Sequence, residues 1–204
     1  MRTVTNIAAA AAALLLAASL TGCQLITDTV GEQPSLGSVS DQGAPASGAD
    51  AGQTVTFIRV VDGDTIAVAP TDALPATNDS GTEHVVRLLG IDTPEMNKMS
   101  EEAPECGAEA ATAQLEALVG QNSSLSLVFD AQADQTDRYG RSLAYVQLPD
   151  GTDLALNLAA GGFAEAWYPS GEPEPERFGS YAAAEDSAAA SGSGSHATCD
   201  TIGR

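Results

Sequence analysis

The chain has 204 residues, a formal net charge of −20, 43% hydrophobic residues and only 4% aromatic ones. Once a leader and a polar linker are set aside, that length leaves room for one small core, not several domains. Two histidines, His84 and His196, lie far apart and in no metal-ligand or triad spacing. Histidine-based catalysis is therefore not expected, and chemistry must come from carboxylates and arginines.

In chain order, Arg2 precedes an Ala/Leu stretch, Ile7 to Leu20. This is too short for a spanning helix but suits a secretory h-region, which predicts export. The "LTGC" that follows resembles the bacterial lipoprotein signal. The resemblance implies removal of residues 1–22, acylation of Cys23 and a lipid anchor on the extracytoplasmic side of a membrane. Of three cysteines, Cys106 and Cys199 then remain as a pair, expected to form a disulfide in an oxidising compartment. Residues 23–52 are rich in Ser, Gly, Ala, Pro, Asp and Gln and read as a disordered tether, leaving 53–204 as the folded domain.

"TVTFIRVVDGDTIAVAP" predicts two strands around an Asp-Gly turn, and "EHVVRLLGID" a third strand running to Asp92. Glu105 to Val119 is Ala-rich with Ala111, Leu115 and Leu118 at helical spacing, and Gly120 is its stop. "SLSLVFD" and "SLAYVQL" predict strands four and five, joined by "AQADQTDRYGR". A Pro-Asp-Gly turn leads to a short helix capped at Thr152 or Asp153 and stopped by glycines. A last helix is expected over about Glu174 to Ala190, followed by a loose tail holding His196, while His84 falls on a strand. The pattern fits a five-stranded Greek-key barrel capped by about three helices.

Carboxylates and arginines gather in three loops: "DGDT" at 62–65, "RLLGIDTPE" at 87–95 and "TDRYGR" at 136–141. Each alone has a purely structural reading: a hairpin turn, a proline-initiated helical turn and a charged turn with a glycine exit. Together, and in this order, they resemble the staphylococcal-type thermonucleases over about Val55 to Ala190. That resemblance implies an OB-fold barrel and a Ca²⁺-dependent endonuclease that cleaves DNA and RNA on the 5′-oxygen side, leaving 3′-phosphates. It implies calcium ligands at Asp64, Asp92 and the carbonyl of Thr93, with Asp62 a nearby carboxylate. Catalytic roles fall on Arg87, Glu95 and Arg141, and substrate contacts on Arg138, Tyr139 and Tyr168. Arginine forks suit phosphate oxygens, and a glutamate can activate the attacking water or position it. Trp167 reads equally as a core anchor or a stacking surface.

The chain departs from the family pattern in a longer 131–136 loop, in Pro169 and Ser170 after Tyr168, and in the placement of Asn157. It departs most in charge. From residue 50 onward seven Arg or Lys face twenty-five Asp or Glu, a net charge near −18. Such a field opposes approach of nucleic acid. Two other readings are therefore carried: an OB-fold module that binds without turnover, and a calcium-stabilised surface interaction domain. Nothing signals an oligomer or an obligate protein partner, so a monomer is expected.

Overall fold

The Asp62-Gly63-Asp64 turn does what its chemistry predicts. It joins β1 (Gln53–Asp62) to β2 (Thr65–Val68) as an antiparallel hairpin. This computed structural model describes residues 52–98 and 101–203. The expected leader, Cys23 and the tether up to residue 51 lie outside the described residues. β3 (His84–Leu88) continues the sheet beside β2, and β4 (Ile91–Asp92) follows after a turn. Then come α1 (Ala108–Val119), β5 (Ser124–Val128) and β6 (Ser142–Gln147). α2 (Leu154–Gly161), β7 (Glu165–Ala166) and α3 (Phe178–Ser191) complete the main elements.

The barrel closes in the order β1-β2-β3-β6-β5, with β3 and β6 parallel and every other pair antiparallel. β1 can serve two neighbours because its first four residues pair with β5 and its second half with β2. Two register shifts, between Phe57 and Arg59 and between Val60 and Asp62, bend it around that corner. The expected five-stranded barrel with three helices is thus the observed architecture. Its interior is filled by Ile66, Val68, Val86, Leu88, Leu125, Leu127 and Val146, all no more than 2% exposed. α1 lays Ala108, Ala111, Leu115 and Val119 against it, a stripe at helical spacing.

Three expectations are corrected. The third strand does not run unbroken to Asp92. Gly90 turns the chain at φ 87°, against the ring of Tyr181, where an added Cβ would lie 3.0 Å from that ring. Ile91 and Asp92 then pair with Ala166 and Glu165 instead of continuing β3. The last helix starts at Phe178, since Pro173 and Pro175 keep the preceding residues out of helical geometry. The tail is not loose. Gly194–Ala197 form a 3-10 turn, Ser195 and Ile202 are buried, and Cys199 bonds to Cys106 across 93 positions. Closing such a loop stabilises the fold by roughly 4 to 5 kcal/mol in the chain-entropy picture. His84 sits on β3 as expected and is structural: its ring contacts the Pro75 carbonyl at 2.6 Å and Ser142 Oγ at 2.8 Å.

Two carboxylates, Asp153 half-buried and Asp130 buried, tie α3 and the segment before it to the barrel. Asp153 caps α2 by accepting from the Leu156 amide, and also receives Arg177 Nη1 at 2.9 Å and the Tyr181 hydroxyl at 2.8 Å. Asp130, at the end of β5, accepts from the Tyr145 hydroxyl and from the amides of Glu176 and Gln132, each at 2.7 Å. Burial works against the charged form of Asp130, but these hydrogen bonds outweigh it and hold the carboxyl below its ordinary range. A carboxyl lowered in the folded state stabilises above its unfolded pKa, about 4, and that contribution fades as pH falls through the lowered value. Asp130→Asn is expected to cost about 1 to 3 kcal/mol in urea unfolding at pH 7. The gap to the parent protein should narrow as the pH falls through and below the ordinary carboxylate range, where the parent carboxylate is itself becoming protonated.

Candidate active site

The loop between β1 and β2 packs so closely that only glycine fits at position 63. A Cβ there would come within 2.6 Å of Thr93 Oγ1 and 2.8 Å of the Ala111 Cβ. This close approach brings Asp64 under the turn that follows β4. Thr93 donates to Asp64 Oδ2 twice, from its amide at 2.9 Å and its hydroxyl at 3.0 Å. Thr65 donates to Asp64 Oδ1 at 3.0 Å.

Register supplies the next piece. Thr65 lies opposite Arg87, so the arginine leaves β3 beside the same turn. Its guanidinium reaches back over the residues that follow it. Nη1 donates to the carbonyls of Leu88 (3.1 Å) and Ile91 (2.8 Å). Nη2 meets Asp92 Oδ1 at 2.6 Å and Asp64 Oδ2 at 2.9 Å. Arg87, Asp64, Asp92 and Thr93 are between 1% and 9% exposed. One planar cation thus holds two buried carboxylates, one from the β1–β2 turn and one from β4.

The negative charge here exceeds what one arginine can balance. Burial, and then the neighbouring Asp64, push the Asp62 carboxyl up to about 6. Burial, and then Asp64 and Asp92, raise that of Glu95. Among the described residues no three His, Cys, Asp or Glu side chains converge on a single point. Aspartate oxygens under surplus negative potential are nevertheless of the kind a hard divalent cation takes as ligands.

On the other side of Arg87 lies a cleft of about 580 Å³. Arg138, Tyr139, Arg141, Trp167 and Tyr168 line it together with Arg87, Asp134, Asp137 and Glu172. The "TDRYGR" loop is organised by Asp137, which accepts from the amides of Tyr139 and Arg141 and from Arg141 Nε at 2.6 Å. Arg138 stacks over the Tyr139 ring at 4.7 Å and donates to its hydroxyl, with Arg141 5.5 Å from the same ring. Tyr139 is 65% exposed, a large aromatic face offered to solvent. The opposite wall follows from β7. Its Ala166 amide is held by Glu185 of α3, and the Trp167 amide by the Gly90 carbonyl. Tyr168 packs edge-on to Phe178 at 4.8 Å. Trp167 is half-buried and belongs to this wall, not to the barrel core.

The fold therefore gathers the sequence-derived site residues into two adjoining groups that share Arg87. Asp62, Asp64, Asp92, Thr93 and Glu95 form one; Arg138, Tyr139, Arg141 and Tyr168 form the other. Three of the seven basic residues from position 50 onward line the cleft, against three of the twenty-five acidic ones, Asp134, Asp137 and Glu172, so the cleft is near neutral in a chain that is otherwise strongly acidic. Sequence reasoning missed Glu105, whose carboxylate accepts the Glu95 amide at 2.8 Å, and Asp130. The partners that matter, Glu95 for the first and Tyr145 and Glu176 for the second, lie ten or more positions away, a distance at which no local pattern marks them. Asp153 carried a signal as a helix cap, but none for its bonds to α3.

A family model described as staphylococcal nuclease homologue matches residues 85–194, more than half of the chain. The chain belongs to the staphylococcal nuclease family. The matched span contains Arg87, Asp92, Thr93, Glu95, Arg138, Tyr139, Arg141 and Tyr168, while Asp62 and Asp64 precede it. Within this family, the chain is similar to the thermonuclease of Staphylococcus hyicus, 38% identical over 96 residues, which are 47% of this chain and 49% of that protein. It is similar to the thermonuclease of Staphylococcus intermedius, 34% identical over 119 residues, 58% of this chain and 62% of that protein. The Bacillus subtilis (strain 168) endonuclease YncB is 35% identical over 114 residues, 56% of this chain and 48% of that protein. The chain thus spans about half the length of the curated relatives it matches.

Removing the shared arginine should expose what it balances. Arg87→Ala is expected to lower stability by about 3 to 5 kcal/mol, because it leaves Asp64 and Asp92 buried without their counter-charge. Urea unfolding in the presence of chelator measures this, and Arg87→Lys should recover only part of the loss, having one point charge for two carboxylates.

Proposed function

We propose that this member of the staphylococcal nuclease family is a calcium-dependent endonuclease. It hydrolyses phosphodiester bonds of DNA and RNA on the 5′-oxygen side and leaves 3′-phosphates. The observation that carries the reading is the sharing of Arg87 between an over-charged carboxylate cluster and an arginine- and tyrosine-lined cleft. A binding-only module needs the cleft but has no use for the cluster.

Asp64, Asp92 and the Thr93 carbonyl would hold calcium, with Asp62 nearby. A calcium ion held by these residues would supply Lewis-acid polarisation of the phosphate. Arg141 and Arg87 supply forked donors to the phosphate oxygens as charge grows on them during attack. Glu95 accepts a proton from the attacking water. The water oxygen bonds to phosphorus, the bond to the 5′ oxygen breaks, and a proton ends on that leaving oxygen. Tyr139, Tyr168 and Trp167 offer faces on which bases stack, with Arg138 placed for a terminal phosphate.

We also propose that the mature protein is exported and lipid-anchored through Cys23, with residues 23–52 as tether and 53–204 as a monomeric catalytic domain. The Cys106–Cys199 disulfide supports export, since such bonds persist in oxidising compartments.

Single-stranded DNA incubated with the full chain tests the activity. Cleavage is expected with calcium, none with chelator, and a rate on the order of 10²-fold or more lower for Glu95→Ser. No calcium-dependent cleavage, or an unchanged mutant rate, would sink the reading. The net charge adds a second expectation. At saturating calcium, the rate should rise with added salt over a low range as the repulsive field is screened, and a monotonic fall would count against it.

A further inference from the structure

Glu95 leaves the backbone just beyond the buried Asp92-Thr93 step and is itself exposed, so something must fix the chain on its far side. That contact is Glu105. Its carboxylate accepts the Glu95 amide at 2.8 Å, and its own amide donates to the Glu95 carbonyl at 2.9 Å. The two glutamates close both ends of the intervening connection. Glu105 is in turn anchored by its neighbour, because Cys106 is bonded to Cys199. The Cys199 amide donates to the Ser195 carbonyl at 2.8 Å, and the Ser195 amide to the Gly162 carbonyl, also at 2.8 Å, at the end of α2. Ser195 is buried, and Gly107 packs against it so tightly that a Cβ there would lie 2.8 Å from its Oγ. A continuous path of bonds therefore runs from a core helix through the disulfide to the backbone of Glu95.

We propose that Glu105 is a positioning residue for Glu95, and that the Cys106–Cys199 disulfide makes it one by fixing Glu105 against α2. The inference rests on the reading of Glu95 as the group that handles the attacking water. A carboxylate accepting a backbone amide holds that amide more firmly than a neutral acceptor. A displaced general base loses rate without loss of substrate affinity.

The experiment compares the full chain with Glu105→Ala and Glu105→Gln, at saturating calcium, on single-stranded DNA. Glu105→Ala is expected to lower kcat on the order of tenfold with KM unchanged. Glu105→Gln keeps a side-chain oxygen for the Glu95 amide and should recover most of that rate. Reducing the parent protein with dithiothreitol, which is oxidised to its cyclic disulfide as the two cysteines become thiols, should lower kcat in the same way. It should add less than its full effect to Glu105→Ala, because both act on one path. Hydrogen exchange at the Glu95 amide, followed by NMR without substrate, should quicken in Glu105→Ala and not in Glu105→Gln. An unchanged kcat in Glu105→Ala, where the parent cleaves, overturns the proposal, as does unchanged exchange at that amide. A parent protein that cleaves nothing instead overturns the nuclease reading, and the exchange measurement still decides whether Glu105 holds this backbone.

Discussion

The guanidinium of Arg87 ties together the turn after β1, the end of β3 and the β4 step that answers to β7. Its two Nη groups satisfy two carbonyls and two carboxylates at distances from 2.6 to 3.1 Å, all in a nearly dry pocket. In such surroundings an unpaired charge is expensive, so cation and anions must form together or not at all. The barrel supplies the register, and the arginine converts that register into one fixed constellation.

The rest of the candidate site is held at second hand. Asp137 shapes the loop that presents Arg138, Tyr139 and Arg141, and Glu185 of α3 holds the β7 amide that leads to Trp167 and Tyr168. α3 is itself fastened by Asp153 and by the Asp130–Tyr145 pair. Burial, followed by the nearby carboxylates, pushes the Tyr145 and Tyr181 phenols well up, so both remain hydrogen-bond donors at any ordinary pH. Three of the few arginines stand in the cleft while carboxylates do most of the fastening, so an acidic chain still presents guanidinium groups there.

The strands were legible because β-branched runs and Asp-Gly or Pro-Asp-Gly turns agree with one another at the local level. The helices were legible from small apolar residues at helical spacing and from their glycine stops. What failed were positions where a distant partner overrules the local signal. Gly90 reads as a tolerated glycine in a strand until Tyr181 is packed against it, and the Ser-Gly tail reads as loose until Ser195 is buried and Cys199 is bonded. The candidate site residues lay in recognisable loops, yet that Arg87 turns back on Asp64 and Asp92 could not be seen, since a motif records identity and not direction. Glu105 was hidden inside a window that otherwise reads as helix.

The one parallel pairing in the barrel sets an order of assembly. β1, β2, β3 and β4 are consecutive in the chain, so the Asp64, Arg87 and Asp92 cluster closes loops of about thirty residues or fewer, at modest entropic cost. The partner edge of β3 must wait for β6, which arrives only after α1 and β5 have been made, and the cleft wall needs β7 later still. The anionic half of the site can thus be assembled early and locally, while the arginine- and tyrosine-lined cleft is the product of long-range closure. A chain caught part-way would hold its carboxylates in place with no groove beside them.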